Sequence, residues 1–324
     1  MPHAIQIDTT GGPEVMQWVE VEIGEPGPGE ARVRHEAVGL NYIDVYFRSG
    51  LYPQPMPAGL GMEGAGIVEA VGEGVTHIKP GDRIAYAGRP NGAYAQVRNM
   101  PAKLLLQLPD ALSFEQGAAM MLQGLTVQYL FNRIHQLKKG DTIVLHAAAG
   151  GVGLIACQWA RAMGVTVIGT VSTEQKAEIA KAHGCTHTVI AGSGQLIPKV
   201  KELTNGEGVS VVYDSVGKDT FTESLDCLAP LGLMVSFGNA SGPVPPLELA
   251  QLSNRGSLKI TRPTLMTFTE RRPWLEEMGA DLFNRVVSGD VVIPVNQRYA
   301  LKDVAQAHRD LEGRKTTGSS ILLP

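Results

Sequence analysis

Gly150, Gly151, Val152 and Gly153 are the residues of this sequence best suited to hold a phosphate. The apolar run Ile143, Val144, Leu145 precedes them, and Leu154, Ile155, Gln158 and Trp159 follow at helical spacing. Strand, tight turn and helix in that order aim several backbone N–H groups and the positive end of a helix dipole at one point, where a pyrophosphate can sit. In the G-x-G-x-x-G frame the residues are Ala148, Gly150 and Gly153, so the first glycine is an alanine. Alone, such a turn could be a packing device. A second β-like run at 165–170, where a mononucleotide unit needs its next strand, favours a dinucleotide site.

The end of that second run discriminates between cofactors. An Asp or Glu there, roughly 20 residues past the glycines, would bind a ribose 2′-hydroxyl. Here Val171 leads into Ser172, Thr173, Glu174, Gln175 and Lys176. Two hydroxyls and a cation suit the 2′-phosphate of NADPH, whereas a carboxylate at the strand end would repel it. Glu174 works against this reading. Ser172 and Thr173 also suit the cap of the next helix, with Glu174 in its first turn, and the two uses can coexist.

Positioning these groups requires a scaffold, and the hydrophobic pattern supplies one. Candidate strands at Thr142–Leu145, 165–170, 186–190, 210–213, 233–237 and 258–261 alternate with helical stretches, which predicts a doubly wound parallel sheet over residues 124–262. Residues 1–123 read differently. Short β runs at 31–35 and 66–71 lie between Gly- and Pro-rich turns, implying a β-rich domain built as a partly open barrel. Ser113 and Gln116 form a capping-box pattern ahead of helical stretches at 114–122 and 125–131. Helices near 270–288 and 301–312 and a strand at Ser319–Leu323 have no further βαβ unit to join. Residues 263–324 are therefore expected to complete the first domain.

Bulk properties set limits. Lys and Arg number 28 against 32 Asp and Glu, a formal charge of −4, so no basic field recruits nucleic acid or an anionic membrane. The apolar stretch 142–160 contains His146, Gln158 and several glycines, marking a buried core element rather than a membrane span. The first residues read as a strand and not as a targeting segment, which suggests a cytoplasmic protein. Cys157, Cys185 and Cys227 are scattered, with no C-x-x-C pair, and read as small buried hydrophobes in a reducing compartment. The eight histidines are equally dispersed, and no metal is expected.

Residues 59–83, with Gly59, Gly61, Met62, Glu63, Gly64, Gly66, Pro80, Gly81 and Asp82, resemble the signature of the medium-chain dehydrogenases/reductases. The segments 41–44, 48–52 and 147–153 narrow the resemblance to zeta-crystallin-like NADPH:quinone oxidoreductases, and 213–217 and 237–239 agree. The likeness spans essentially the whole chain. It implies a Rossmann sheet beside a GroES-like, partly open barrel that carries the catalytic groups, and a homodimer joined through the edge strand near 257–261. The zinc members of the superfamily have Gly-His-Glu where this chain has Gly61, Met62 and Glu63. Cysteine is also missing from 41–44, and no four-cysteine lobe lies between Ala87 and Leu108. Without a Lewis acid the substrate should be intrinsically electrophilic, a quinone or an α,β-unsaturated carbonyl, with the protein supplying proximity and oxyanion donors.

The resemblance also assigns residues. Catalytic candidates are Asn41, Tyr46, Tyr52 and Arg262. Alternatives stand for each: an Asx turn for Asn41, aromatic packing for the two tyrosines, and cofactor phosphate binding for Arg262. Cofactor candidates are Tyr42, Ile43, Asp44, Thr126 and Tyr129 toward the nicotinamide and pyrophosphate. The phosphate turn is Gly150, Gly151, Val152 and Gly153, and Ser172, Thr173 and Lys176 form the 2′-phosphate pocket. Ser215, Phe237, Gly238, Asn239, Thr264, Leu265 and Met266 flank the nicotinamide, and Arg314 is a further contact. Relatives often place a tyrosine past the third strand, where this chain has Ala191, Gly192, Ser193 and Gly194. Quinone reduction is the leading expectation and enone reduction the alternative. A non-catalytic NADPH- or RNA-binding crystallin-like role is disfavoured by the charge.

Overall fold

The computed structural model describes residues 1–324 and divides them into two compact units. One comprises Met1–Thr126, Leu265–Ser288 and Ile293–Pro324; the other comprises Val127–Thr264 and Gly289–Val292.

The second unit holds a six-stranded parallel sheet in the spatial order His187–Ile190, Thr166–Val171, Thr142–Leu145, Val209–Asp214, Leu228–Ser236, Lys259–Thr261. In order along the chain this is 3-2-1-4-5-6, the doubly wound arrangement. The order reverses beside Thr142–Leu145, so the turn after that strand lies at the switch point where such sheets bind ligands. Its strands are apolar on both faces: Val144, Ile168, Val189, Val212 and Met234 share a core with helix residues such as Val200 and Leu225. The strand predicted at 233–237 begins earlier, at Leu228, and carries an irregularity. Pro230 and Gly232 interrupt the apolar run there, and Leu231 between them stands at a φ of 65° and is 64% exposed.

The first unit is built on antiparallel pairing. Glu30–Leu40 is its longest strand and pairs with Glu63–Val71, Val97–Pro101 and Ser319–Leu323. Arg83–Ala87 and Leu106–Gln107 extend one side, and Val295–Ala300 joins Ser319–Leu323 in parallel on the other. His3–Ile7, Gln17–Glu20 and Ala58–Gly59 form a separate small sheet. The two stretches predicted at 114–122 and 125–131 are one helix, Phe114–Tyr129, continued by a short π turn at Leu130–Ile134. Gly124 does not break it, because a Cβ there would lie 2.5 Å from Leu282 Cδ1 and packing holds the turn. Ser113 and Gln116 make the expected reciprocal cap, at 2.9 and 3.1 Å.

Candidate active site

The candidate nucleotide-binding residues begin at the end of strand Thr142–Leu145. Gly150 caps helix Gly151–Met163 in extended conformation, leaving the first amides of the helix unpaired within it. A Cβ at Gly153 would lie 2.4 Å from the Ala147 carbonyl and 2.6 Å from the Ala148 backbone, so helix and strand approach too closely for any side chain. Ala148 is accepted in place of the first glycine because its neighbour across the sheet is Gly169, whose missing Cβ would meet Ala148 Cβ at 2.6 Å.

Beneath the turn lies a polar network that pattern reading did not find. His146 Nδ1 meets Thr170 Oγ1 and its Nε2 meets Ser224 Oγ, each at 2.9 Å. Ser224 and Thr220 donate to Asp214 Oδ2 at 2.9 and 2.7 Å, while the Val216 and Gly217 amides donate to Oδ1. Burial holds His146 below its ordinary value, so the neutral ring is the form that links the strands. Three strand ends are thereby fixed around the turn. The polar His146 inside an apolar run was the available signal.

At the end of the second strand, Thr173 caps helix Glu174–Ala182, accepting from the Lys176 amide at 3.2 Å. Ser172, Thr173 and Glu174 are exposed and Lys176 is half-buried, so the cap and the polar cluster coincide. Farther along the sheet, Gly238 approaches Ser215 so closely that a Cβ would meet its carbonyl at 2.3 Å. Phe237 donates its amide to the Asp214 carbonyl at 2.8 Å. Arg262 Nη1 donates to the Ser236 and Gly238 carbonyls at 2.9 and 3.0 Å, and its Nη2 to the Asn239 side-chain oxygen at 3.0 Å. The guanidinium thus braces the loop carrying Phe237, Gly238 and Asn239. Tyr129 is buried in this unit, and Thr264 is its last residue before the chain returns.

The catalytic candidates Asn41, Tyr46 and Tyr52 are in the other unit. Asn41 heads helix Tyr42–Ser49, and Asp44 accepts its amide at 2.9 Å. The Asn41 side chain is engaged internally, donating to Glu63 Oε2 at 2.6 Å and accepting from Gln123 at 3.1 Å. Glu63 accepts the Leu122 amide at 2.8 Å, and Gln123 is held by Ser319 at 2.8 Å. Asp44 is fully buried, and its Oδ2 also accepts from Tyr94 at 2.8 Å. Tyr94 meets His308 Nε2 at 3.1 Å. Arg48 donates to His308 Nδ1 at 3.0 Å and grips Glu312 with both Nη atoms at 2.8 and 2.9 Å. Burial lifts Glu63 to about 8 and Asp44 to about 7, and lowers His308 to about 3. Asp44 Oδ1 has no partner, as fits a carboxyl held toward its neutral form.

Against this interior stands an aromatic face. Tyr46 packs on Tyr42 at 5.5 Å and edge-on to Tyr52 at 5.1 Å between centroids. Tyr42, Ile43 and Tyr52 are half-buried, and Arg314 is exposed with its charge near Tyr42. Thr126 folds its hydroxyl back to the Leu122 carbonyl at 2.7 Å. Leu265 is buried and Met266 opens a short helix, packed against the core of this unit. Met62 is completely buried in that core, and no three His, Cys, Asp or Glu side chains are placed to hold a metal. No helix is long and apolar enough to cross a membrane.

Sheet order, phosphate turn and antiparallel unit together define a two-part dehydrogenase architecture. Residues 27–110 match the alcohol dehydrogenase GroES-like domain, and 151–280 match the zinc-binding dehydrogenase family. The chain is 53% identical over 325 residues to a quinone oxidoreductase of Pseudomonas aeruginosa, covering all of both proteins. A crystal structure of Escherichia coli quinone oxidoreductase complexed with NADPH superposes with a TM-score of 0.98 at 49% identity, covering 99% of this chain and 100% of that one. A 2-haloacrylate reductase of a Burkholderia species is 44% identical over 100% of this chain and 99% of its own. The chain belongs to the quinone oxidoreductase family of the medium-chain dehydrogenases/reductases.

Proposed function

We propose that this protein is an NADPH-dependent quinone oxidoreductase. The observation that carries the reading is full-length identity near one half to quinone oxidoreductases, one of them solved with NADPH. The nucleotide half fits that cofactor on its own geometry: a turn at Gly153 too close to the Ala147 and Ala148 backbone for a side chain, open amides at Gly151 to Gly153, and hydroxyls with Lys176 at the second strand end. Bound there, NADPH supplies a hydride. Gly150, Gly151, Val152 and Gly153 hold the pyrophosphate, Ser172, Thr173 and Lys176 the 2′-phosphate, and Ser215 with the Phe237–Asn239 loop the nicotinamide half.

Tyr42 and Tyr52, half-buried and backed by the buried Tyr46, present an aromatic surface suited to a flat conjugated ring, with hydroxyls able to donate to a developing oxyanion. Both polar ends of the Asn41 amide are taken by Glu63 and Gln123, so it positions the helix that carries the tyrosines. Arg262, braced against backbone carbonyls, positions the loop at 237–239. Hydride reaching an uncharged quinone leaves an oxyanion, and conjugation across the ring disperses its charge. Enone reduction uses the same parts, and the 2-haloacrylate reductase keeps it as the second reading.

Two copies pairing through Lys259–Thr261 is the assembly this unit favours. The strand is at the sheet edge, and Ile260 on it is 40% exposed. NADPH oxidation followed by loss of the reduced nicotinamide absorbance, with a panel of quinones and enones, tests the activity. Turnover with quinones supports the reading, enone-only turnover transfers it to the second, and none with either overturns both. Light scattering that returns a monomer mass would overturn the dimer.

A further inference from the structure

The fold brings two of the three cysteines together. Cys157 is on helix Gly151–Met163, and Cys185 is in the turn before strand His187–Ile190. Their backbones adjoin, since a Cβ on Gly184 would stand 3.1 Å from the Cys157 carbonyl oxygen. Cys157 Sγ lies 4.0 Å from the Ala148 carbonyl. A Cβ on Gly169 would meet Cys185 Sγ at 2.5 Å and Ala148 Cβ at 2.6 Å. Both sulfurs therefore flank the alanine that opens the phosphate turn, Cys157 Sγ donating to the Ala148 carbonyl at 4.0 Å and Cys185 Sγ to the His187 carbonyl at 3.2 Å.

We propose that Cys157 and Cys185 form a reversible dithiol–disulfide site oxidised by hydrogen peroxide, and that the disulfide weakens dinucleotide binding at the adjoining turn. The second part rests on the NADPH reading above. The roles of the sulfurs are distinct. The neighbouring Cys157 side chain holds the Cys185 thiol below its ordinary range, while the Cys185 side chain and burial hold Cys157 well above it. Cys185 is thus the sulfur that ionises and attacks, and Cys157 the one that resolves. The Cys185 thiolate takes one peroxide oxygen, the O–O bond breaks, and the departing hydroxide leaves as water with the proton Cys185 released. Cys157 sulfur then attacks the sulfenic acid, the S–O bond breaks, and a second water carries off the Cys157 proton. Two thiols lose two electrons and two protons, and one peroxide becomes two waters.

Cys185 is 4% exposed and Cys157 fully buried, so a two-heavy-atom oxidant suits the site and a ring-sized electrophile does not. Closing the bond draws the sulfurs to about 2.0 Å, shorter than any thiol hydrogen bond. The start of helix Gly151–Met163 or the Gly184–Cys185 turn must move, and the Ala148 backbone lies against both. Cys227 provides an internal control: it is buried elsewhere, and burial pushes its thiol up to about 12.

The native full chain would be treated with excess hydrogen peroxide, quenched, unfolded and alkylated, with peptide mapping by mass spectrometry. Alkylatable thiols should fall from three to one, with a 157–185 cross-linked peptide that dithiothreitol reverses. The Kd for NADPH, read by nicotinamide fluorescence, should rise about tenfold, an ordinary size for coupling between sites. Cys157→Ala should give no cross-link and leave Cys185 to over-oxidise. Three intact thiols in peroxide-treated protein would overturn the site, and a cross-link with unchanged Kd would overturn the coupling. Failure of the reduced protein to bind NADPH would instead overturn the functional reading, while the thiol count still decides the cross-link.

Discussion

The proposed phosphate turn and the proposed tyrosine face are built by opposite means. At the turn the ligand groups are backbone amides, and what positions them is the absence of side chains at Gly153 and Gly169. At the tyrosine face the ligand groups are side chains. They are positioned by a buried relay of Asn41, Glu63, Asp44, Tyr94, His308 and Arg48, drawn from segments more than 200 residues apart. A backbone site is set by short-range sterics, whereas a side-chain site depends on distant partners being satisfied in a low-dielectric interior. The first should therefore fail by collision, and the second by charge.

The largest break should come at the turn. Gly153→Val places atoms against the Ala147 and Ala148 backbone, which cannot yield as a flexible side chain could. NADPH affinity should fall by at least about 100-fold, or the melting temperature should drop by several degrees, as overpacking of about 1–3 kcal/mol or more predicts. Normal affinity and stability would show that the helix start can shift freely.

The charged interior gives the next effect. Glu63 is held at about 8 against an ordinary 4.5, and Asp44 at about 7 against 3.8, burial being the largest cause for each. Across those windows the folded chain binds more protons than the unfolded one. Stability should therefore be greatest at the acid end and fall as pH rises, levelling above about 8, by up to about 1.4 kcal/mol per pH unit for each group. Glu63→Gln should flatten that slope in denaturant titrations from pH 5 to 8.5, because Gln does not titrate, although it keeps an acceptor oxygen for only one of the two donors, Asn41 and the Leu122 amide. An unchanged slope would place the proton uptake elsewhere.

Two substitutions sharpen the comparison at the nucleotide end. Arg262→Lys loses the fork that spans the Ser236 and Gly238 carbonyls and should lower kcat/KM about 10-fold, an effect of about 1.4 kcal/mol on a positioned loop. A loss confined to KM for NADPH would instead favour a phosphate contact. Lys176→Ala should raise KM for NADPH by about 10- to 100-fold, the value of one charge-assisted hydrogen bond, and leave NADH kinetics nearly unchanged. Equal losses with both cofactors would make Lys176 a helix residue only. The smallest effect belongs to Tyr46→Phe, which keeps the ring contacts with Tyr42 and Tyr52 and removes only the hydroxyl. A change below about 5-fold in kcat means the ring is what the substrate meets, and about 100-fold or more makes the hydroxyl an oxyanion donor.

The sequence by itself determined the parallel sheet, the helix caps and the glycine cradle. Each is written in local terms: apolar runs buried on both faces, Ser113 with Gln116, and Gly153 one turn after strand Thr142–Leu145. Residue type also marked the tyrosines and the absence of a histidine at Met62. Only the tertiary structure decided what the polar groups do. Asp44, singled out as a cofactor contact, has its carboxyl turned to Asn41 and Tyr94, and Asn41 has both ends of its amide taken. Arg262 faces backbone carbonyls. The same holds for Cys157 and Cys185, scattered along the chain and adjacent in the fold. Secondary structure follows from neighbours a few positions away, which pattern reveals, whereas a buried polar group must find partners wherever the chain's path supplies them.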